Sequence, residues 1–191
     1  CADDPLTGMA RPHRNFTSDD RFHIINRAID DQDLFSVHDD WNLFEWLLGK
    51  ACLDHGFTVN AYALMSNHYH LLADLSTCTT RSEVSDAIGT LQSTYAKYFN
   101  DRTDRRGPLF EPRFLAFGVS GDARIHRVVR YIHRNPIDIC GRRALGSYRW
   151  SSLPVVLGRR ESPSWLDCSH FTAQDPSTHL ADLANCALTD L

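Results

Sequence analysis

Hydrophobic and polar positions change period several times along the chain, and each change marks an element. Arg21-Phe-His-Ile-Ile-Asn-Arg27 alternates, as a strand does, with Phe22 and Ile24 on one face. From Trp41 the period lengthens. Leu43, Phe44, Leu47, Leu48 and Ala51 form one stripe, which predicts a helix capped by Asp39 or Asp40. Gly56 stands where the end of that helix wants a left-handed residue. Phe57 to Leu64 alternates again, Met65-Ser66-Asn67 turns, and His68 to Ala73 returns, which reads as a β-hairpin. Thr80-Arg-Ser-Glu83 fits a capping box that opens a second helix, with Val84, Ile88, Leu91, Tyr95 and Tyr98 or Phe99 inward. Phe114 to Val119 is a fourth strand. Asp122 to Arg134 is a third helix, striped by Ile125, Val128, Val129 and Ile132 and stopped by Pro136.

The order strand, helix, strand, strand, helix, strand, helix predicts an α+β fold. Its plan is a ferredoxin-like antiparallel sheet with helices packed on it, plus a C-terminal extension. Residues 1–20 read as a loose polar arm, 21–158 as one domain, and 159–191 as the extension, with a short helix near Thr178 to Leu188. A chain of 191 residues, 42% apolar and 23% charged, has material for one sizeable core. No run approaches the ~18 apolar residues of a membrane span. No basic stretch followed by an apolar run opens the chain, and Met9 is a plausible original start. Six cysteines occur without a C-x-x-C pair, which reads as reduced thiols and excludes a zinc ribbon. A cytoplasmic, nucleoid-associated protein is expected, with no membrane partner.

The net charge of −4 conceals a division along the chain. Residues 1–96 carry 6 basic and 14 acidic side chains, whereas residues 97–149 carry 12 basic and 5 acidic ones. Eleven of those 12 are arginines, whose forked guanidinium suits phosphate. Binding uses a patch and not a sum, so the local figure points to nucleic acid. The candidate DNA contacts are Arg105, Arg106 and Arg113 before the third helix and Arg127, Arg130 and Arg134 on it.

Two small constellations carry candidate chemistry. In His68-Tyr69-His70 the imidazoles at i and i+2 share one face of a strand, about 7 Å apart at Cα, and can chelate one metal. Tyr131 and Asn135 lie four apart on one helical face, where a carboxamide oxygen suits Mg²⁺ or Mn²⁺. On spacing alone a second reading of that pair stands: Tyr131 packs at the edge of the apolar stripe and Asn135 caps the helix. Arg127 and Arg134 fall near the same side of the helix as Tyr131. His23 on the first strand could join the site, with a structural histidine the favoured reading. No phosphate-binding glycine loop or nucleophile elbow occurs.

The stretch Ala61-Tyr-Ala-Leu-Met-Ser-Asn-His-Tyr-His-Leu-Leu72 resembles the signature hairpin of the single-tyrosine HUH transposases, and among them the REP-associated tyrosine transposases. Met9-Ala-Arg-Pro12, Gly107-Pro-Leu-Phe-Glu-Pro-Arg-Phe114, Arg130-Tyr-Ile-His-Arg-Asn-Pro136 and Tyr148-Arg-Trp-Ser-Ser152 match in order, so the resemblance spans about residues 9–165. It departs at Ser66, where proline is common, and at Ile137-Asp-Ile-Cys140. The resemblance implies that His68 and His70 are metal ligands, Asn135 the third ligand and Tyr131 the nucleophile. It also implies cleavage and rejoining of single-stranded or hairpin DNA through a 5′-phosphotyrosine, with Mg²⁺ or Mn²⁺. The acting unit would be a homodimer or a single subunit. Two other readings stay open: a DNA-binding protein of the same fold that does not cut, and a hydrolase that uses the histidine pair without a covalent step.

Overall fold

The computed structural model describes residues 20–77 and 81–172. Its sheet is antiparallel and holds β1 (Arg21–Arg27), β2 (Thr58–Leu64), β3 (His68–Asp74) and β4 (Leu115–Gly118) in the spatial order β2-β3-β1-β4. Because β3 lies between β1 and β2, and β1 between β3 and β4, two βαβ units interlock. That is the ferredoxin-like plan read from the sequence.

The two faces of β3 divide the molecule. Tyr69 is fully buried, with its ring 5.1 Å from that of Phe44 on α1 (His38–His55). On that side Phe44 also meets Tyr95 of α2 (Arg81–Thr103), ring centroids 5.2 Å apart. His68, His70 and Leu72 point the other way, toward α3 (Asp122–Arg134), which packs over β2 and β3. The α3 stripe is as the spacing predicted: Ile125, Val128, Val129 and Ile132 are all buried. His133 is buried as well and hydrogen-bonds the Ser152 hydroxyl at 2.7 Å.

Four local expectations need correction or fall elsewhere. Neither Asp39 nor Asp40 is the cap of α1, which begins three residues before Trp41 with Val37 at the cap position. Asp40 instead reaches back, its Oδ2 accepting from the Ser36 and Val37 amides at 2.7 and 3.1 Å, while Arg102 donates to the same oxygen at 2.7 Å. One carboxylate thus satisfies two orphan amides and holds α2 against α1. Gly56 does end the helix in the left-handed region, φ 69°. The capping box at Thr80, the N-terminal arm up to Asp19 and the helix near Thr178 lie outside the described residues.

The third helix ends at Arg134, as the proline predicted, but the chain stays in the helical region beyond it. Asn135 keeps helical angles (φ −46°, ψ −43°), and Pro136 opens a further helix, α4 (Ile137–Ala144), kinked at Gly141. Beyond it are two single turns, α5 (Leu153–Val156) and α6 (Ser169–Thr172). Residues 150–167 run along the outer edge of β2. Leu64 N donates to Trp150 O (2.8 Å), Ser152 N to Tyr62 O (3.0 Å), Val59 N to Trp165 O (3.1 Å) and Asp167 N to Val59 O (2.9 Å). The edge is thereby closed to other strands.

Candidate active site

Strand parity and register assemble the site from three elements. Arg27 pairs with His68, Ile25 with His70 and His23 with Leu72, so all six side chains project from one face of β1 and β3. His23 is therefore the diagonal neighbour of His70, within reach of an aromatic side chain. The last turn of α3 crosses above and lowers Tyr131 and Asn135 onto the same surface.

The rings meet at defined angles. His68 and His70 stand at 90° with centroids 5.1 Å apart. Tyr131 approaches His70 edge-on at 5.3 Å and His23 at 5.9 Å. His23 and His70 stack at 5.2 Å, tilted by 30°, and His23 Nε2 lies 3.1 Å from His70 Nδ1 in a hydrogen bond. The Nδ1–H of His68 donates to Asn67 Oδ1 at 2.7 Å. Asn135 Nδ2 donates to the carbonyl of Tyr131 at 2.9 Å, and its side chain lies close enough to influence both His68 and His70.

Burial decides the charge of these rings. Taking an imidazolium out of water is costly, and it pushes His23 down to about 4 and His70 to about 2. Neighbouring His23 and His68 add to the effect at His70, while Asn135 works against it. His68 is lowered by the same burial, opposed by Asn135 and reinforced by the Arg27 charge. At neutral pH the rings are uncharged, the form in which imidazole donates a lone pair.

The arginines separate into three groups. Arg105 is bound to its own loop, with Nη2 donating to Pro108 O at 2.8 Å and Nη1 to Asn100 Oδ1 at 3.1 Å. Arg106, Arg113 and Arg127 are exposed. Arg130 is half-buried on α3. Arg134, next to Asn135, is half-buried too. Its Nε and Nη1 are shielded from solvent and, among the described residues, find no acceptor.

The structure therefore brings His68, His70, Tyr131 and Asn135 together, and leaves Arg105 committed elsewhere. It also adds His23, Asn67 and Arg27, which the sequence reading did not place at the site. A histidine of matching parity on the neighbouring strand was the available signal for His23, but it acquires meaning only with the register.

Comparison with known proteins gives the following. A family model described as "Transposase IS200 like" matches residues 17–135. No curated protein matches the chain. The solved structure of a REP-associated tyrosine transposase bound to a REP hairpin is 16% identical and superposes with a TM-score of 0.62, covering 87% of this chain and 98% of that one. A crystal structure described as a transposase from Deinococcus radiodurans is 18% identical with a TM-score of 0.43, covering 64% of this chain and 95% of that one. The first likeness carries the fold; the second is too distant to carry an argument.

Proposed function

Because the chain belongs to the IS200-like transposase family, we propose that it cuts and rejoins single-stranded DNA with Tyr131 as the nucleophile. The observation that carries this reading is the seating of the Tyr131 ring edge-on to His70, one helical turn from an Asn135 side chain that reaches both imidazoles.

The donor set fits a divalent cation. Nδ1 of His68 is spent on Asn67 and Nδ1 of His70 on His23, which leaves Nε2 on each ring. The Asn135 amide nitrogen is spent on the Tyr131 carbonyl, which leaves its oxygen. Two neutral imidazoles and a carboxamide suit Mn²⁺, and Mg²⁺ is the abundant alternative. Bound there, the ion would supply Lewis-acid stabilisation of charge on the scissile phosphate.

The protein's own side chains do the rest. The Tyr131 oxygen attacks phosphorus in line, the P–O3′ bond breaks, and a 5′-phosphotyrosine and a free 3′-hydroxyl result. The phenolic proton leaves as the new bond forms, and the departing 3′ oxygen gains one. Since the ester bond is conserved, another 3′-hydroxyl can reverse the step and join a new end. Arg134, on the same helix as the nucleophile, offers two unpaired donors for a phosphate, and the exposed arginines of α3 would track the flanking phosphates. A hairpin-containing repeat is the substrate this reading favours, since the structural relative was solved with a REP hairpin. A homodimer or a single subunit would act.

Incubation with hairpin-flanked single-stranded oligonucleotides and Mn²⁺ tests the reading. A protein–DNA adduct should survive denaturation, and mass spectrometry should map it to the peptide containing Tyr131. Binding without any adduct, across substrates, would make the chain a non-cutting DNA-binding protein.

A further inference from the structure

We propose that His23 is a positioning residue: it grips His70 at Nδ1 and thereby fixes which nitrogen of that ring can face a cation. The proposal rests on the reading of His68, His70 and Asn135 as ligands.

His23 occupies a place where packing alone would take an apolar residue. It is 6% exposed on a strand whose neighbours Phe22 and Ile24 are fully buried, and its ring stacks on that of His70. Yet its Nε2 meets His70 Nδ1 at 3.1 Å, a polar bond between two buried groups. A buried imidazole without a partner is expensive, so each ring constrains the other.

Neutral imidazole carries one proton on two nitrogens, and a ring that ligates through one nitrogen must carry it on the other. With the ligating lone pair on His70 Nε2, the proton sits on Nδ1 and is donated to His23 Nε2, which moves the His23 proton to its own Nδ1. His68 is held in the same manner, Nδ1 to Asn67 Oδ1 at 2.7 Å. Both rings of the pair are thus tied by the same nitrogen, and both are left with Nε2. His23 reaches His70 diagonally across the β1–β3 register, so strand pairing itself sets the angle of the ring. Its Nε2 being committed to His70, His23 acts through that residue and not as a ligand.

The test is Mn²⁺ binding by calorimetry on the full chain, without DNA. His23→Phe keeps the ring but has no acceptor; His23→Gln keeps an acceptor oxygen. His23→Phe should bind Mn²⁺ about 10- to 100-fold more weakly, the usual effect of losing a residue that orients a ligand, and His23→Gln should recover most of the loss. Wild-type affinity in His23→Phe overturns the proposal, and so does a His23→Gln variant as weak as His23→Phe. Should His23→Phe fail to fold, the imidazole ¹⁵N spectrum of the Mg²⁺-saturated wild type decides. A His70 proton on Nδ1 supports the proposal, and one on Nε2 overturns it. Wild-type protein that binds no Mn²⁺ at all overturns the ligand set itself, an outcome these variants are not needed to see.

Discussion

The ring of Tyr131 stands edge-on to the ring of His70, their planes at 88° and their centroids 5.3 Å apart. The contact is one between rings, and among the described residues the Tyr131 hydroxyl makes no hydrogen bond. Removing the hydroxyl should therefore separate chemistry from architecture. Tyr131→Phe is expected to form no covalent DNA adduct, to bind hairpin DNA and Mn²⁺ as the wild type does, and to melt within about 0.5 kcal/mol of it, as a change away from any structural partner does. Gel shift, calorimetry and thermal melting check the three parts. Residual adduct would move the nucleophile to another residue.

How much of this was legible beforehand differs by element. The α3 stripe and the histidine strand were plain because each buries one face against a single layer, so the period survives. β2 alternated less cleanly, since residues 150–167 and two helical layers bury it on both sides. The short helices from Ile137 onward were not read at all: Pro136 looked like a stop, yet proline is well suited to open a helix. At the site, parity puts His68 and His70 on one strand face and helical spacing puts Tyr131 and Asn135 on one helix face, but their joint role followed only from the family resemblance. His23 and Asn67 did not follow, because a hydrogen bond across strands depends on register, which no local pattern encodes.

Arg134 carries two donors, Nε and Nη1, that nothing in the described protein satisfies, a cost to the folded state that an acceptor on a bound ligand would remove. Arg134→Met, of similar length, should leave stability unchanged or raise it, because a shielded unpaired cation is replaced by an apolar chain. The same change should weaken hairpin binding and reduce the slope of log affinity against log salt by about 1. Arg105→Ala should act in the opposite way on stability, losing about 1 kcal/mol as its bonds to Asn100 and Pro108 disappear. Thermal melts and a salt titration of DNA binding check both variants. A strong loss of stability in Arg134→Met would show that the guanidinium has a protein partner.

Gly49 lies inside α1, where alanine normally stabilises by ~1 kcal/mol. Here the sign reverses. A β-carbon at this position would fall 2.6 Å from Nε1 and 2.7 Å from Cδ1 of Trp165, a buried indole in the segment bonded to β2. The rigid ring can yield only by withdrawing from the helix. Gly49→Ala should cost about 1–3 kcal/mol, as overpacking of a core does. It should also speed hydrogen exchange at Val59 and Asp167, whose amides hold that segment to the strand. An alanine variant more stable than the wild type would rule out the close contact between α1 and Trp165.

Tyr62 joins Glu45 on α1 and Arg160 beyond α5: its hydroxyl donates to Glu45, while Arg160 bonds both of them. Burial raises the phenol well above its usual range and the Glu45 charge raises it further, with Arg160 opposing. Tyr95 is raised by burial too, and burial pushes Tyr148 up to about 12. A phenol raised in the folded state contributes stability that is fully present below the unfolded value of about 10, and is lost as pH rises through the folded value. The melting temperature should therefore fall steeply above about pH 10. Tyr62→Phe should cost about 1 kcal/mol at pH 7, where its hydrogen bonds are intact, and should melt with a shallower alkaline decline, because one of the raised phenols is gone. Melting curves from pH 7 to 11 on both proteins check this. An identical alkaline slope in the variant would mean that Tyr62 ionises as readily folded as unfolded, and the Glu45–Tyr62–Arg160 bridge would not hold in solution.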